Sequence, residues 1–429
     1  MNNKLILSSA LVLAAASAVY GQDQPTESKT EPSAPSWFSE VLDGELPDSV
    51  GGGKISFNSR LRYEGVSLTG SKPSDALTIR NRFGFTTKQF RGFQGMIEGE
   101  DVSVVGPGHN ANFSGTNPSG AGHAVVADPE ATEVNRAWGS YSNWDSTLKV
   151  GRQRVNFDQA RFIGNVGWRQ NEQTFDAISL VNNSIPDTRI VYAFVDQVNR
   201  IFGDDHPTGN LDTSSHLVNV NYSGFEKLNL TGYAYLVKID NVPATAANEA
   251  GLSANTYGAS VSGKLPNVGD VKLGYRAEFA WQTDAGNSPL NYEAEYYHLN
   301  VNSSYDRFSL GVGYEVLGTD NNAGFRTPLA TLHAFNGWAD AFLATPGAGL
   351  RDVYVSAGVK LPYDVPLKVI YHSYETNIGD ADLGQEVDII ASKSLGKHWK
   401  TLAKYAAYSG GDSGRAYREK FWLQVEFNF

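Results

Sequence analysis

From Lys54 to Phe429 the chain alternates apolar and polar residues with a period of two, over segments of about ten residues. In 54 to 64 the odd positions Ile55, Phe57, Leu61 and Tyr63 are apolar, while Ser56, Asn58, Arg60, Arg62 and Glu64 are polar. In 77 to 86, Leu77, Ile79, Phe83 and Phe85 oppose Thr78, Arg80 and Arg82. Successive side chains of a strand point to opposite faces, so each segment offers one face to lipid and one to water. Further segments near 93–103, 132–141, 146–154, 174–182, 188–197, 215–223, 227–239, 255–264, 270–282, 292–302, 307–317, 352–361, 366–376, 385–394, 398–408 and 418–429 bring the predicted strands to 18.

The connections alternate in length. Short links at 88–92, 142–145, 223–226, 361–366 and 394–397 are interleaved with links as long as 104–131 and 318–351. Long loops at one end and short turns at the other characterise outer-membrane barrels. A soluble β-sandwich shares the period of two. The long strands, the outward aromatics near Tyr305, Phe308, Tyr371 and Tyr374, and a final strand reading Phe421, Leu423, Val425, Phe427, Phe429 favour the barrel. A terminal Phe closing such a strand resembles the assembly signal of bacterial outer-membrane proteins. The fold class is therefore all-β: a transmembrane antiparallel β-barrel of 18 strands over 54–429.

Residues 1–21 read as a secretory signal, with Lys4, an apolar stretch from Leu5 to Ala16, and small residues Ala16-Ser17-Ala18 at the cleavage region. Cleavage after Ala18 and after Gly21 both fit. This twelve-residue stretch falls short of the roughly 20 that a spanning helix needs. Residues 22–53 are rich in Pro, Ser, Thr and Glu and end in Gly51-Gly52-Gly53, a flexible periplasmic lead-in. The implied location is the outer membrane of a Gram-negative-type bacterium. Expected partners are outer-membrane lipid and lipopolysaccharide, and the barrel-assembly machinery through the strand ending at Phe429.

With 35 basic and 46 acidic residues the formal charge is −11, which argues against nucleic acid, since phosphate neutralisation needs clustered excess Lys and Arg. No Cys is present and the eight His are scattered, so no transition-metal centre and no cofactor is expected. Gly411-Asp412-Ser413-Gly414 imitates a serine-protease nucleophile motif but falls in a predicted turn without a partner His. Nothing in the strands requires an enzyme.

Arginine is distributed unevenly: ten of 18 lie between residues 60 and 169. Arg60, Arg62, Arg80 and Arg82 occupy the polar phase of adjacent strands and are expected in the lumen, because a charge on the lipid face costs roughly 2–4 kcal/mol at mid-bilayer. Glu98 and Glu100 take the polar phase of the next strand, and Arg136 and Arg152 follow on later strands whose register the pattern fixes less firmly. The expectation is a positive wall, including Arg152, opposite Glu98 and Glu100, selecting charged solutes in a narrow lumen. Mutual pairing that merely fills the barrel is the alternative.

Val150-Gly151-Arg152-Gln153-Arg154, Arg161-Phe162-Ile163-Gly164, Trp168 and Thr174-Phe175-Asp176-Ala177, with Thr327-Pro328-Leu329 and Asn336-Gly337-Trp338-Ala339-Asp340, resemble the alginate-export family of outer-membrane barrels. That resemblance implies an 18-stranded barrel with an arginine-lined constriction passing anionic polysaccharide, and it assigns Arg152, Arg161 and Asp176 to positions near the constriction. After residue 210 only six Arg remain, a departure that extends the expected solutes to neutral or anionic oligosaccharides. Leu332, Phe335, Trp338, Ala339 and Phe342 at helical spacing predict a short helix in the loop 327–345, either folded inward or packed outside. The functional expectation is a passive channel for anionic or sugar-like solutes, uronate polymers included. An adhesin or enzyme working through its long loops is the alternative.

Overall fold

The computed structural model describes residues 45–46, 52–105, 121–240, 251–286 and 288–429. The signal segment 1–21 and nearly all of the lead-in 22–53 lie outside the described residues. Among the described residues, eighteen strands of eight residues or more form one sheet. They are β1 (Gly53–Leu68), β2 (Ser74–Thr87), β3 (Phe93–Val104), β4 (Ala131–Asn143), β5 (Ser146–Gln153), β6 (Thr174–Asn182), β7 (Thr188–Asn199), β8 (Asn210–Phe225) and β9 (Leu228–Val237). The second half comprises β10 (Ala254–Val268), β11 (Val271–Asp284), β12 (Glu293–Tyr305), β13 (Phe308–Leu317), β14 (Leu350–Leu361), β15 (Val365–Glu375), β16 (Asp382–Leu395), β17 (Trp399–Gly410) and β18 (Arg415–Asn428). Each pairs antiparallel with its sequence neighbours, and β1 pairs with β18 from Asn58↔Asn428 to Leu68↔Arg418, closing the barrel. Closure removes every unpaired sheet edge, which lipid requires. A two-residue strand, Glu45–Leu46, pairs with Lys54 and Gly53 at the start of β1.

The turns 144–145, 226–227, 269–270 and 306–307 are two residues long, whereas loops such as 154–173 and 318–349 lie at the opposite end. Short turns mark the periplasmic end. Trp144 and Asp145 hold φ of 48° and 53°, the left-handed pair that a two-residue hairpin turn demands. Aromatic rings gather at that end, Phe93 against Tyr141 at 4.7 Å and Trp399 against Phe427 at 4.9 Å. A second outward set, with Tyr257 stacked on Trp281 at 5.9 Å, stands nearer the loops. Between the two girdles Leu299, Val301, Leu310 and Val312 expose 51–60% of their surface outward.

The interior is filled from above. Loops 154–173 and 325–349 fold into the lumen and pack on each other, with Gly164 N–H donating to Leu329 O at 2.8 Å and Thr331 N–H donating to Ala160 O at 2.9 Å. Phe162 sits among Tyr233, Tyr296 and Phe325 at ring distances of 5.1–5.8 Å, so an apolar cluster occupies what a wide barrel would leave as water. The expected helix in 327–345 is only a single 3₁₀ turn, Leu332–Ala334. Asn336, Gly337 and Asp340 adopt positive φ, which breaks the helical path. Of the two placements for this loop, the inward one is observed. The protease-like motif is a 3₁₀ turn between β17 and β18.

Candidate functional site

Arg60, Arg62, Arg80 and Arg82 face the lumen from β1 and β2, as their phase requires, but they do not form an open stripe. Arg60 Nη1 donates to the backbone carbonyls of Gly167, Trp168 and Arg169 at 3.2–3.3 Å. Arg80 and Arg82 donate to the Gln170 carbonyl at 3.3 and 3.4 Å. Their charges are also met by carboxylates: Glu426 lies 3.3 Å from Arg60, Asp128 lies 3.6 Å from Arg62, and Glu172 lies 3.3 Å from Arg82. Arg62 packs over Trp168 at 4.2 Å. Arg62 and Arg80 are each 1% exposed. The wall thus grips the main chain of loop 154–173, and planar guanidinium forks suit several carbonyls at once.

Two expectations are corrected. Glu98 and Glu100 do not stand opposite the arginines across the lumen, because register sets Glu100 directly beside Arg82 and Glu98 beside Arg136. Arg136 holds Glu98 with two hydrogen bonds of 2.8 and 2.6 Å. A bulge at Asn135 brings that amide to Glu98 as well, at 2.8 Å. Arg152 and Asp176 are bonded to each other at 2.8 and 3.0 Å, yet away from the constriction. They share the outward phase with Val150 and Ile178, 49% and 46% exposed, at the loop-side ends of β5 and β6. Arg161 does lie within the lumen, 4% exposed, bonded to Glu315 at 2.7 Å and Asn336 at 3.0 Å, over the ring of Phe335.

A second centre, unmarked by any sequence reading, is Lys404 on β17. Its ammonium lies 4.1 Å from the Trp168 ring and 3.8 Å from the Trp338 ring, and donates to His333 Nε2 at 2.7 Å. His333 Nδ1–H in turn donates to Asp340 at 2.7 Å, and Asp340 also pairs with Arg169 and Lys420. One lysine therefore pins both inward loops to the wall. Its sequence signal is slight, a single polar-phase residue in an ordinary strand. Trp338 and Asp340, however, lie in the Asn336–Asp340 segment that carries the family resemblance. The loop carboxylate Glu172, which burial alone would push up, is held well below the usual range by Arg82 and Arg154.

Burial lowers His333 well below its ordinary value of 6.5, the Lys404 cation adds to that effect, and Asp340 opposes it. The folded loop thus favours neutral imidazole. The stability His333 contributes is complete above the unfolded value and lost as pH falls below it toward the folded one. Acidification from pH 7 to about 4 should loosen the loops and raise single-channel conductance, and His333→Phe should flatten that rise. An unchanged slope in the variant would count against this role.

Between the inward loops and the outer halves of β1 and β18 lies a cavity of about 370 Å³. Val66, Leu68, Val166, Ile201, Phe202 and Leu332 supply apolar walls, and Arg169, Arg200, Arg418 and Lys420 bring positive charge, with Asp340 the carboxylate among the lining residues. Arg418 donates to the Ala339 carbonyl at 3.1 Å. The sequence pattern of alginate export matches residues 60–314. The chain belongs to the alginate export family. Family and fold together make it a porin-like barrel of the bacterial outer membrane.

Among solved structures, this family member resembles OccAB4 of Acinetobacter baumannii, with TM-score 0.69, 11% identity, and coverage of 87% of this chain and 97% of that one. It also resembles the outer membrane protein OpdK of Pseudomonas aeruginosa, with TM-score 0.66, 13% identity, and 88% and 98% coverage. OpdQ of the same organism gives TM-score 0.68, 13% identity, and 88% and 98% coverage. At such identities the likeness is one of fold. No curated protein matches the chain in sequence.

Proposed function

We propose that the chain is a passive outer-membrane channel for small anionic solutes that carry an apolar body, with the 370 Å³ cavity at the loop-side mouth as their first resting place. The observation that carries this reading is the cavity's lining, in which apolar side chains surround Arg169, Arg418 and Lys420. Extended uronate polymers such as alginate are a poorer fit. A polymer would have to thread a lumen that loops 154–173 and 325–349 fill, whereas a small anion needs only the cavity beside them. OpdK, one of the structural neighbours, was crystallised with vanillate, an aromatic carboxylate. The same chemistry suits an apolar cavity with a cationic edge. No chemical step is needed for passive diffusion, so an enzymatic role is not proposed.

The test is single-channel recording of the refolded protein in a planar bilayer under a salt gradient. The expected reversal potential is anion-selective, and benzoate should block at lower concentration than a uronate oligosaccharide. Arg418→Ser should weaken benzoate block by about tenfold, the size of one lost charge-assisted hydrogen bond. Cation selectivity, or tighter block by the uronate, would overturn the reading. Surface-ligand binding without conductance would favour the adhesin alternative.

A further inference from the structure

The outward surface is apolar over most of its height, and, besides loop-side pairs such as Arg152–Asp176, a row across β1 to β4 departs from that rule. Ser59 stands opposite Asn81, Asn81 opposite Asp101, and Asp101 opposite Thr132, across β1 to β4. All four share the outward phase: Ser59 and Asn81 alternate with the lumen arginines of β1 and β2, and Asp101 alternates with Glu98 and Glu100. Ser59 Oγ donates to Asn81 Oδ1 at 2.8 Å, and Thr132 Oγ1 donates to Asp101 at 2.7 Å.

The Ser59–Asn81 pair is not at the rim. The next outward pair toward the periplasm is Phe57–Phe83, and the next toward the loops is Leu61–Ile79. Phe83 and Leu61 are 59% and 40% exposed, so the polar pair lies inside the lipid-facing band. Among the described residues no protein group accepts from the Asn81 amide nitrogen, and hydrocarbon offers no acceptor. Beside the row one position is low: Gly99, the next outward residue from Asp101 on β3, where an added Cβ would meet only a backbone oxygen at 4.0 Å. Phe83 and Val134 stand on either side of it, 59% and 46% exposed.

We propose that this face of β1 to β4 is the contact between two copies of the chain. They meet about a two-fold axis along the membrane normal, so that the two Asn81 amides exchange hydrogen bonds. A primary amide is its own complement, carrying donor and acceptor side by side, and an isologous interface sets each residue near the axis against its own copy. An acyl chain satisfies neither group. A lipid headgroup lies beyond the apolar pair Leu61–Ile79 that borders the row. A different barrel would need a matching amide or carboxylate at the same depth.

The chain contains no Cys, so Asn81→Cys introduces a lone thiol. Full-length protein in outer-membrane vesicles is oxidised with copper phenanthroline, and heat-modifiable mobility confirms that each variant is folded. Asn81→Cys is expected to give a species of twice the monomer mass. Leu299→Cys, outward on β12 on the far side of the barrel, should stay monomeric. Asn81→Leu should run as monomer in mild detergent where the unsubstituted protein runs as dimer. Equal cross-linking at both positions, none at Asn81→Cys, or a product of another mass would each overturn the proposal.

Discussion

A barrel carrying Arg161→Ala is expected to pass several-fold more current per channel and to lose about 3–5 kcal/mol of stability, the cost of leaving a buried carboxylate unpaired. Arg161 is 4% exposed in the lumen, and Glu315 on β13, 3% exposed, faces it at 2.7 Å. Glu315 also accepts from the Tyr296 hydroxyl at 2.7 Å and from Asn336 Nδ2 at 2.6 Å. The arginine thus ties loop 154–173 to the wall and, through Asn336, to loop 325–349. Removing it strands Glu315 and cuts that link, so both loops should swing out and the lumen widen. Replacing both residues with Leu should recover much of the stability, because no buried charge then lacks a partner. Arg161→Lys keeps the charge but not the two-pronged reach, and should fall between. Urea unfolding and bilayer recording check both halves. Lost stability with unchanged conductance would show that the loops are held elsewhere.

The strand framework was readable because its cause is local. A residue's phase follows from its parity, and lipid on one side enforces that parity over long stretches. All eighteen segments were therefore visible in outline, β1 starting one residue before its predicted Lys54 and extending four beyond Glu64. Partnership is not local. Arg60 and Arg80 are direct cross-strand neighbours, a like-charge pair that sequence alone would mark as unfavourable. Only the fold shows Glu426 between them, 3.3 Å from one and 3.9 Å from the other. The same gap set Glu98 and Glu100 opposite the arginines when they are interleaved with them.

Arg152 was misplaced for another reason. Its strand is only eight residues long, and Leu148 and Val150 share its parity while Thr147, Lys149 and Gln153 take the other. Parity therefore points Arg152 outward, against the rule that keeps charge off the lipid face, which relaxes at a strand's end. In loop 325–349 the apolar spacing suggested a helix. Those side chains are instead satisfied by lumen walls, with Phe342 packed at 4.6 Å from Tyr374, which faces the lumen and not, as expected, the lipid. A loop that finds its core in another part of the chain leaves no periodic mark. Lys404 illustrates the limit: its importance lies in two tryptophans and a histidine from distant segments, none adjacent in sequence.

Gly337→Ala is expected to raise conductance almost as much as loss of Arg161, with a smaller loss of stability. Gly337 holds φ of 85°, a region that costs an L-residue roughly 1–2 kcal/mol. Its Cα also lies against the wall: an added Cβ would overlap the Tyr374 hydroxyl and the Glu386 carboxylate. Both groups sit in well-packed strands, β15 and β16, and cannot retreat without opening the barrel. The loop must give way instead. The backbone N–H of Ala339 donates to Glu386 at 2.6 Å and that of Trp338 to Asp388 at 3.2 Å, and a displaced loop would lose both anchors together. Trp338 would then leave Lys404. Asp340, next along the segment, stays paired with Arg169 and Lys420, so the displacement is expected to be confined to 336–339 and the urea midpoint to fall by less than in Arg161→Ala. Quenching of Trp338 fluorescence by acrylamide, compared in Gly337→Ala and the unsubstituted protein with the other seven tryptophans replaced by Phe, reads the displacement directly. If quenching and conductance both stay unchanged, the close approach at Gly337 does not hold the loop in the lumen.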